Sequence, residues 1–145
     1  YNRIANKKIS YLQRKVSLMS REIELNKNTM IVSETDAKGM ITYANDEFCL
    51  VAGYTKDELI GKPHNIVRHL DMPKVAFEDL WKTINTGKIW NGIVKNKTKT
   101  GDFYWVNATA YQSKTEDGNI RYISVRVKPT REEIEKAETL YKTLV

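Results

Sequence analysis

Cysteine is nearly absent from this sequence of 145 residues, where Cys49 stands alone. A single thiol excludes an internal disulfide and any zinc or iron–sulfur site built on several cysteines, and it fits a reducing compartment. Histidine is almost as scarce, limited to His64 and His69, and two histidines without cysteines make a poor zinc site. No uninterrupted apolar run approaches the length that crosses a bilayer, so no membrane contact is expected within this segment and a cytoplasmic location follows. The opening YNRIANKKISYLQRK lacks the apolar stretch of a secretory signal, and its start at Tyr1 rather than Met leads us to expect a piece of a longer chain. Catalytic signatures are missing as well. There is no GxSxG, no HExxH and no glycine-rich phosphate or dinucleotide loop, and His69 beside Asp71 has no evident nucleophile, so enzymatic activity is not expected.

Basic residues outnumber acidic ones, 24 to 18, for a net charge of +6. The lysines are scattered and interleaved with acids rather than gathered on one helix or ribbon, which argues against a nucleic-acid surface. The hydrophobic share of 41% and charged share of 29% are those of a globular protein. The length gives one domain with room for helical extensions.

Three regions divide the chain: an N-terminal amphipathic helix in 1–28, a core domain over 29–130 and a C-terminal helix in 131–145. In ANKKISYLQRKVSLMSREIEL, Ile9, Leu12, Val16, Met19 and Ile23 are spaced three and four apart, an apolar stripe suited to capping the domain or to dimerisation. TMIVSETD and MITYAN read as strands joined by a tight turn at Gly39. Short helical turns follow, including one opened by the capping pair Thr55 and Glu58. Pro73 marks the first turn of a longer helix that Gly87 closes. Three more strands, WNGIVKNKTK, FYWVNATAYQSK and IRYISVRVK, complete an α+β arrangement with helices on one face of an antiparallel sheet. TREEIEKAETLYKTLV carries a second capping pair, Thr130 and Glu133.

Alternation along the strands assigns faces. Lys95, Lys97 and Lys99 must be wet, so Asn96 points inward, where its amide needs partners. Tyr104, Val106, Ala108 and Ala110 share one face, and small residues there leave either a tightly apposed helix or a cavity. For the last strand the pattern predicts Ile123, Val125 and Val127 inside, with Tyr122 joining Trp105 and Tyr111 outside under the N-terminal helix.

The stretch NIVRHLDMP places Arg68, His69 and Asp71 together ahead of Pro73. Arg68 offers a planar fork for an anionic or carbonyl-rich ligand, or a bridge to Asp71 that fixes the loop. Asp71 is suited to capping the following helix.

Taken in order, ETDAKGMITYANDEF, VAGYTKDELIGKPHNIVRHLDMP, FEDLWKTINTGKIWNGIVKNKTKTGDFYWVNA and YISVRVKPT resemble a PAS domain, and more narrowly the PAS domain of bacterial aerotaxis and energy-taxis receptors. One departure is Leu70, where that pattern commonly has Pro. The resemblance implies a PAS fold with a five-stranded antiparallel sheet, short helices over one face and flanking helices that signal to an output domain. It also implies a pocket holding FAD, with Asn45, His64, Arg68, His69, Asp71, Trp81 and Asn96 as the candidate cofactor-binding residues. Trp81 would stack on the flavin or belong to the core, and Asn45 would read its polar edge or cap the helix after it.

The resulting expectation is a redox or oxygen sensor in signal transduction of the chemotaxis type, dimeric through its flanking helices. Two alternatives stay open. One is a cofactor-free interaction module with a collapsed pocket. The other is a heme-binding gas sensor, since His64 and His69 lie where some PAS domains carry an axial ligand.

Overall fold

The computed structural model describes residues 2–144, and of Asn2 and residues 12–19 it describes the backbone alone. Helix α1 (Asn2–Met19) precedes β1 (Ile31–Asp36) and β2 (Ile41–Ala44). Helices α2 (Asp46–Ala52) and α3 (Lys56–Leu59), a 3-10 turn (His64–Val67) and α4 (Lys74–Asn85) follow. The chain ends with β3 (Trp90–Lys97), β4 (Phe103–Lys114), β5 (Ile120–Val127) and α5 (Arg131–Thr143). The strands form one five-stranded sheet in the order β2-β1-β5-β4-β3, with antiparallel neighbours. The expected α+β architecture is the one observed. No helix among the described residues is long and apolar enough to cross a membrane.

Local chemistry accounts for the element ends. Thr55 and Thr130 each form a complete capping box with Glu58 and Glu133, satisfying backbone N–H groups that a helix start leaves unpaired. Gly39, at φ 83°, turns β1 into β2, and the Trp81 ring lies against it, so a Cβ there would sit 3.4 Å from the indole. The approach is an ordinary van der Waals contact, so it is the positive φ of the turn that calls for glycine. Asp71 does not cap α4. Pro73 is the N-cap and has no side-chain bond, because the Asp71 carboxylate is held by Lys95 at 2.7 Å.

The N-terminal helix is shorter than its stripe predicts. It stops at Met19, and Glu22 instead forms a parallel bridge with Phe103, with the Ile23 N–H donating to the Phe103 carbonyl at 2.7 Å. Pairing with β4 satisfies that backbone better than a further helical turn would. Ile9 and Ile23 of the stripe are exposed, while the side chains of Leu12, Val16 and Met19 lie outside those described.

The fifth strand is the reverse of the sequence expectation. Ser124 pairs with Ala110 and Arg126 with Ala108, so Tyr122, Ser124 and Arg126 face the helices, and Ile123, Val125 and Val127 face outward. The apolar-inside rule fails here because the inner face lines a hollow with a polar end rather than a filled core. Ile123 and Val125 stand opposite Tyr111 and Thr109 on the other side of the sheet. Among the described residues, the outer cover over Trp105 is supplied by Ile134 and Ala137 of α5; the α1 side chains at 12–19 lie outside them.

Trp90 closes one end of the inner layer. Its indole N–H donates to Asp79 of α4 at 2.9 Å, and its ring lies over Gly92, where an added Cβ would fall 2.4 Å from the nearest ring carbon. Gly92→Ala must therefore displace an anchored ring, and overpacking of this kind costs about 1–3 kcal/mol. Urea unfolding followed by tryptophan fluorescence should show that loss; an unchanged midpoint would mean that the indole moves freely.

Candidate functional site

Between α4 and the sheet lies a hollow of about 370 Å³. It exists because the sheet offers small side chains, Ser33, Ala108, Ala110 and Ser124, opposite Phe77, Leu80, Trp81 and Ile84 of α4. Its volume falls in the range of small-molecule sites, about 300–1,000 Å³. Trp81 and Tyr122 form one wall, edge to face at 5.2 Å between centroids, with the Tyr122 hydroxyl donating to Asn85 at 2.5 Å.

Polar groups converge on one end. Arg126 is 2% exposed, and its guanidinium donates to Ser33 Oγ at 2.8 Å and to His64 Nε2 at 2.9 Å. Ser33 and His64 are themselves 2.9 Å apart, closing a triangle. Among the described residues Arg126 Nε has no hydrogen-bond partner, and neither does Thr35 Oγ1; both residues line the hollow, with these two atoms themselves buried against protein. No carboxylate pairs with Arg126 among the described residues, and burial alone pulls it down to about 10, so it remains a cation at neutral pH. A buried, unpaired cation costs several kcal/mol, and a donor with nothing to donate to adds to that.

His64 accepts from Arg126 at Nε2, which makes Nδ1 the protonated nitrogen of a neutral ring. The residue keeps some accessible surface, but its imidazole lies between Phe48 and the Arg126–Ser33 pair. Burial, and then the charge of Arg126, push it down to about 3. The nitrogen that an axial iron ligand would use is thus already engaged.

The remaining candidates separate into two groups. Arg68, Trp81 and Asn96 line the hollow with His64. Arg68 stacks on Phe77 at 4.0 Å and makes no ion pair among the described residues, and its backbone bridges that of Asn96. The Asn96 side chain contacts the Tyr104 hydroxyl, which burial pushes up to about 12. Asn45, His69 and Asp71 do not line the hollow. The Asn45 amide is spent on α2 and β1: it accepts from Phe48 and Val32, at 3.1 Å each, and donates to Met30 at 2.8 Å. His69 accepts from the Asp71 backbone N–H at 3.0 Å. Asp71 titrates below the usual carboxylate range, because its ion pair with Lys95 outweighs its partial burial.

Arg126, Ser33 and Thr35 are absent from the sequence-based candidates. Arg126 was assigned outward by default once Val125 and Val127 were placed inside. An arginine interrupting an apolar strand, flanked by valines, was the available signal.

A second depression adjoins the first and shares Asn65 and Arg68 with it. It is an open groove of about 990 Å³, lined also by Tyr54, Lys74 and Lys97.

Residues 41–127 match the family model described as the PAS fold. The chain is 51% identical over 117 residues to the aerotaxis receptor of Escherichia coli, covering 81% of this chain and 23% of that receptor. It is 34% identical over 95 residues to a biofilm dispersion protein of Pseudomonas aeruginosa, covering 63% of this chain and 22% of that protein. The chain thus spans less than a quarter of either relative. Among solved structures, the dark state of the blue-light photoreceptor Aureochrome1 LOV superposes with a TM-score of 0.66 at 20% identity, covering 78% of this chain and 85% of that one. This last likeness concerns the fold.

The neutral His64 makes stability depend on pH. Its folded value lies below its unfolded one, so the unfolded chain takes up the proton first as pH falls. Stability is complete above about 6.5 and is lost towards about 3, by up to about 1.4 kcal/mol per pH unit. Urea midpoints at pH 7 and 5 should fall more steeply for the wild type than for His64→Gln; equal slopes would mean that the imidazole is protonated in the folded state.

Proposed function

Since the chain belongs to the PAS fold family, we propose that it is the sensory module of a signalling protein and that its hollow takes the ring system of a flavin. The observation that carries this reading is Arg126. A buried cation that lines a partly open hollow walled by Trp81 and Tyr122, with one N–H still unpaired, suits a flat aromatic ligand with an electron-rich polar edge. A flavin has both parts: an apolar ring face, and a pyrimidine edge of carbonyl and ring-nitrogen acceptors. When bound it supplies reversible electron uptake, and with it a change in charge or protonation. Arg126 and Thr35 would hold the polar edge, and Asn96 would add an amide within reach of the same space.

FAD is favoured over a shorter flavin by the adjoining groove. Arg68 stands at the junction, and Lys74 and Lys97 leave the groove rim with basic groups that make no ion pair among the described residues. Two phosphates leaving the hollow past Arg68 would meet positive charge, and Tyr54 offers a face for a base.

The remaining parts of the reading follow from the receptor likeness. The module works in the cytoplasm, reports redox state or oxygen in an aerotaxis-type response, and passes its state through its flanking helices to an output domain. It pairs with a second copy through α1, whose Ile4, Ile9 and Tyr11 are exposed.

An absorption spectrum of the purified protein, followed by chromatography of the ligand released on denaturation, tests this. Flavin bands and released FAD are expected, whereas a heme Soret band, or no chromophore after incubation with FAD, would reject the reading. Loss of the guanidinium in Arg126→Ala should weaken FAD binding about ten- to a hundredfold, the range for a buried charge-assisted hydrogen bond. Asn45→Ala should lower stability at unchanged affinity. Equal occupancy in the wild type and Arg126→Ala would remove Arg126 from the site.

A further inference from the structure

The loop from Arg68 to Met72 lies on both sides of the edge strand β3. At one end, Arg68 faces the hollow and bridges the backbone of Asn96. Next to it, the His69 ring sits edge-on to Phe103, 6.1 Å between centroids. At the other end, the Asp71 carboxylate reaches Lys95. Asn96 lines the hollow, so the Lys95 side chain stands on the opposite face of the sheet. That face is where α5 docks.

Lys95 is enclosed there. Its side chain is 14% exposed, and its ammonium lies 2.7 Å from Asp71 and 4.4 Å from the centre of the Phe103 ring, with Trp105 at 5.8 Å. Phe103 and Trp105 are also the shelf on which α5 rests, through Ile134, Ala137 and Tyr141. The Tyr141 hydroxyl donates to the carbonyl of Ile93, two residues along the same strand. Leu144, just beyond α5, borders the open groove beside Arg68, His69 and Leu70. Loop and helix therefore share one small set of side chains with Lys95 at its centre.

We propose that the Asp71–Lys95 pair is a positioning contact that ties the seating of α5 to the conformation of the loop bordering the hollow. Lys95 is the enclosed member of the pair and Asp71, with its side chain 57% exposed, the one free to leave; the ammonium then keeps only the two rings and the more distant charge of Glu22. If the loop withdraws Asp71, Lys95 must swing towards water, and in doing so it leaves the aromatic shelf beneath α5. A change at Arg68 thereby reaches α5 around the edge of the sheet without rearranging the strands. The inference rests on the sensory reading only for what moves the loop; the mechanical link is a property of the protein with or without a ligand.

Hydrogen exchange read by mass spectrometry on the full chain, without added ligand, tests the link separately from flavin binding. Lys95→Met should raise exchange across Ile134–Thr143 by about fivefold or more, as expected for a locally loosened element, with β1 and β5 protected as in the wild type. Lys95→Arg, which keeps the charge, should restore protection. By reciprocity, unseating the helix with Ala137→Glu should raise exchange at residues 69–72. Unchanged α5 exchange in Lys95→Met would overturn the proposal. So would an equal rise in Lys95→Arg, or a rise shared by all strands together with a lower urea midpoint, since Lys95 would then act through general stability.

Discussion

A guanidinium buried without a carboxylate is the constraint on which the site depends. Arg126 is held from two sides, by Ser33 on β1 and by His64 in the turn that crosses the inner face, and both contacts leave its Nε without a hydrogen-bond partner among the described residues. Hydrogen bonds to neutral groups offset only part of the cost of taking such a charge out of water. The neighbours are tuned to tolerate it. His64 stays neutral, the Phe48 ring lies 4.5 Å from the guanidinium as a cation–π partner, and Ile31 and Ala108 flank the arginine on the neighbouring strands.

The rest of the inner layer keeps that hollow open and shaped. The Gly39 turn packs against the Trp81 ring, Tyr122 is fixed by Asn85, and Gly92 makes room for the Trp90 ring that closes the end of the layer. Each of these holds an aromatic ring at a defined place while the alanines of β4 withhold the volume that would fill the middle. A native core normally reaches crystal-like density, so a persistent hollow with rigid aromatic walls is a feature of the fold rather than a packing fault.

Much of this was legible in the sequence. The capping pairs at Thr55 and Thr130, the turn at Gly39, the inward Asn96 and the small residues of β4 all follow from spacing and residue chemistry, and the succession of motifs pointed to the fold. Legibility ended where a rule about averages met a special site. On β5 the choice between Val125 and Arg126 for the inside is settled by register with β4, a long-range pairing that no local pattern encodes. Asp71 misled for a related reason: its place before a helix fits a cap, and only the fold brings Lys95 near enough to take it. The end of α1 was obscured in the same way, because the partner of Glu22 lies on β4, far along the chain. The two arms of the site therefore differ in kind. Side chains set by local sequence, such as Trp81 and Asn96, could be found in advance; for Arg126 the sequence offers only its interruption of an apolar strand, and Ser33 and Thr35 join it when the sheet assembles.

The most direct test of the account is the nitrogen–proton resonance of the Arg126 Nε–H, assigned by comparison with Arg126→Lys and recorded before and after FAD is added. The account predicts a downfield proton shift and slowed exchange with solvent as the free donor gains an acceptor. A resonance that stays in place while FAD binds, or that already shows both features in the empty protein, would contradict it.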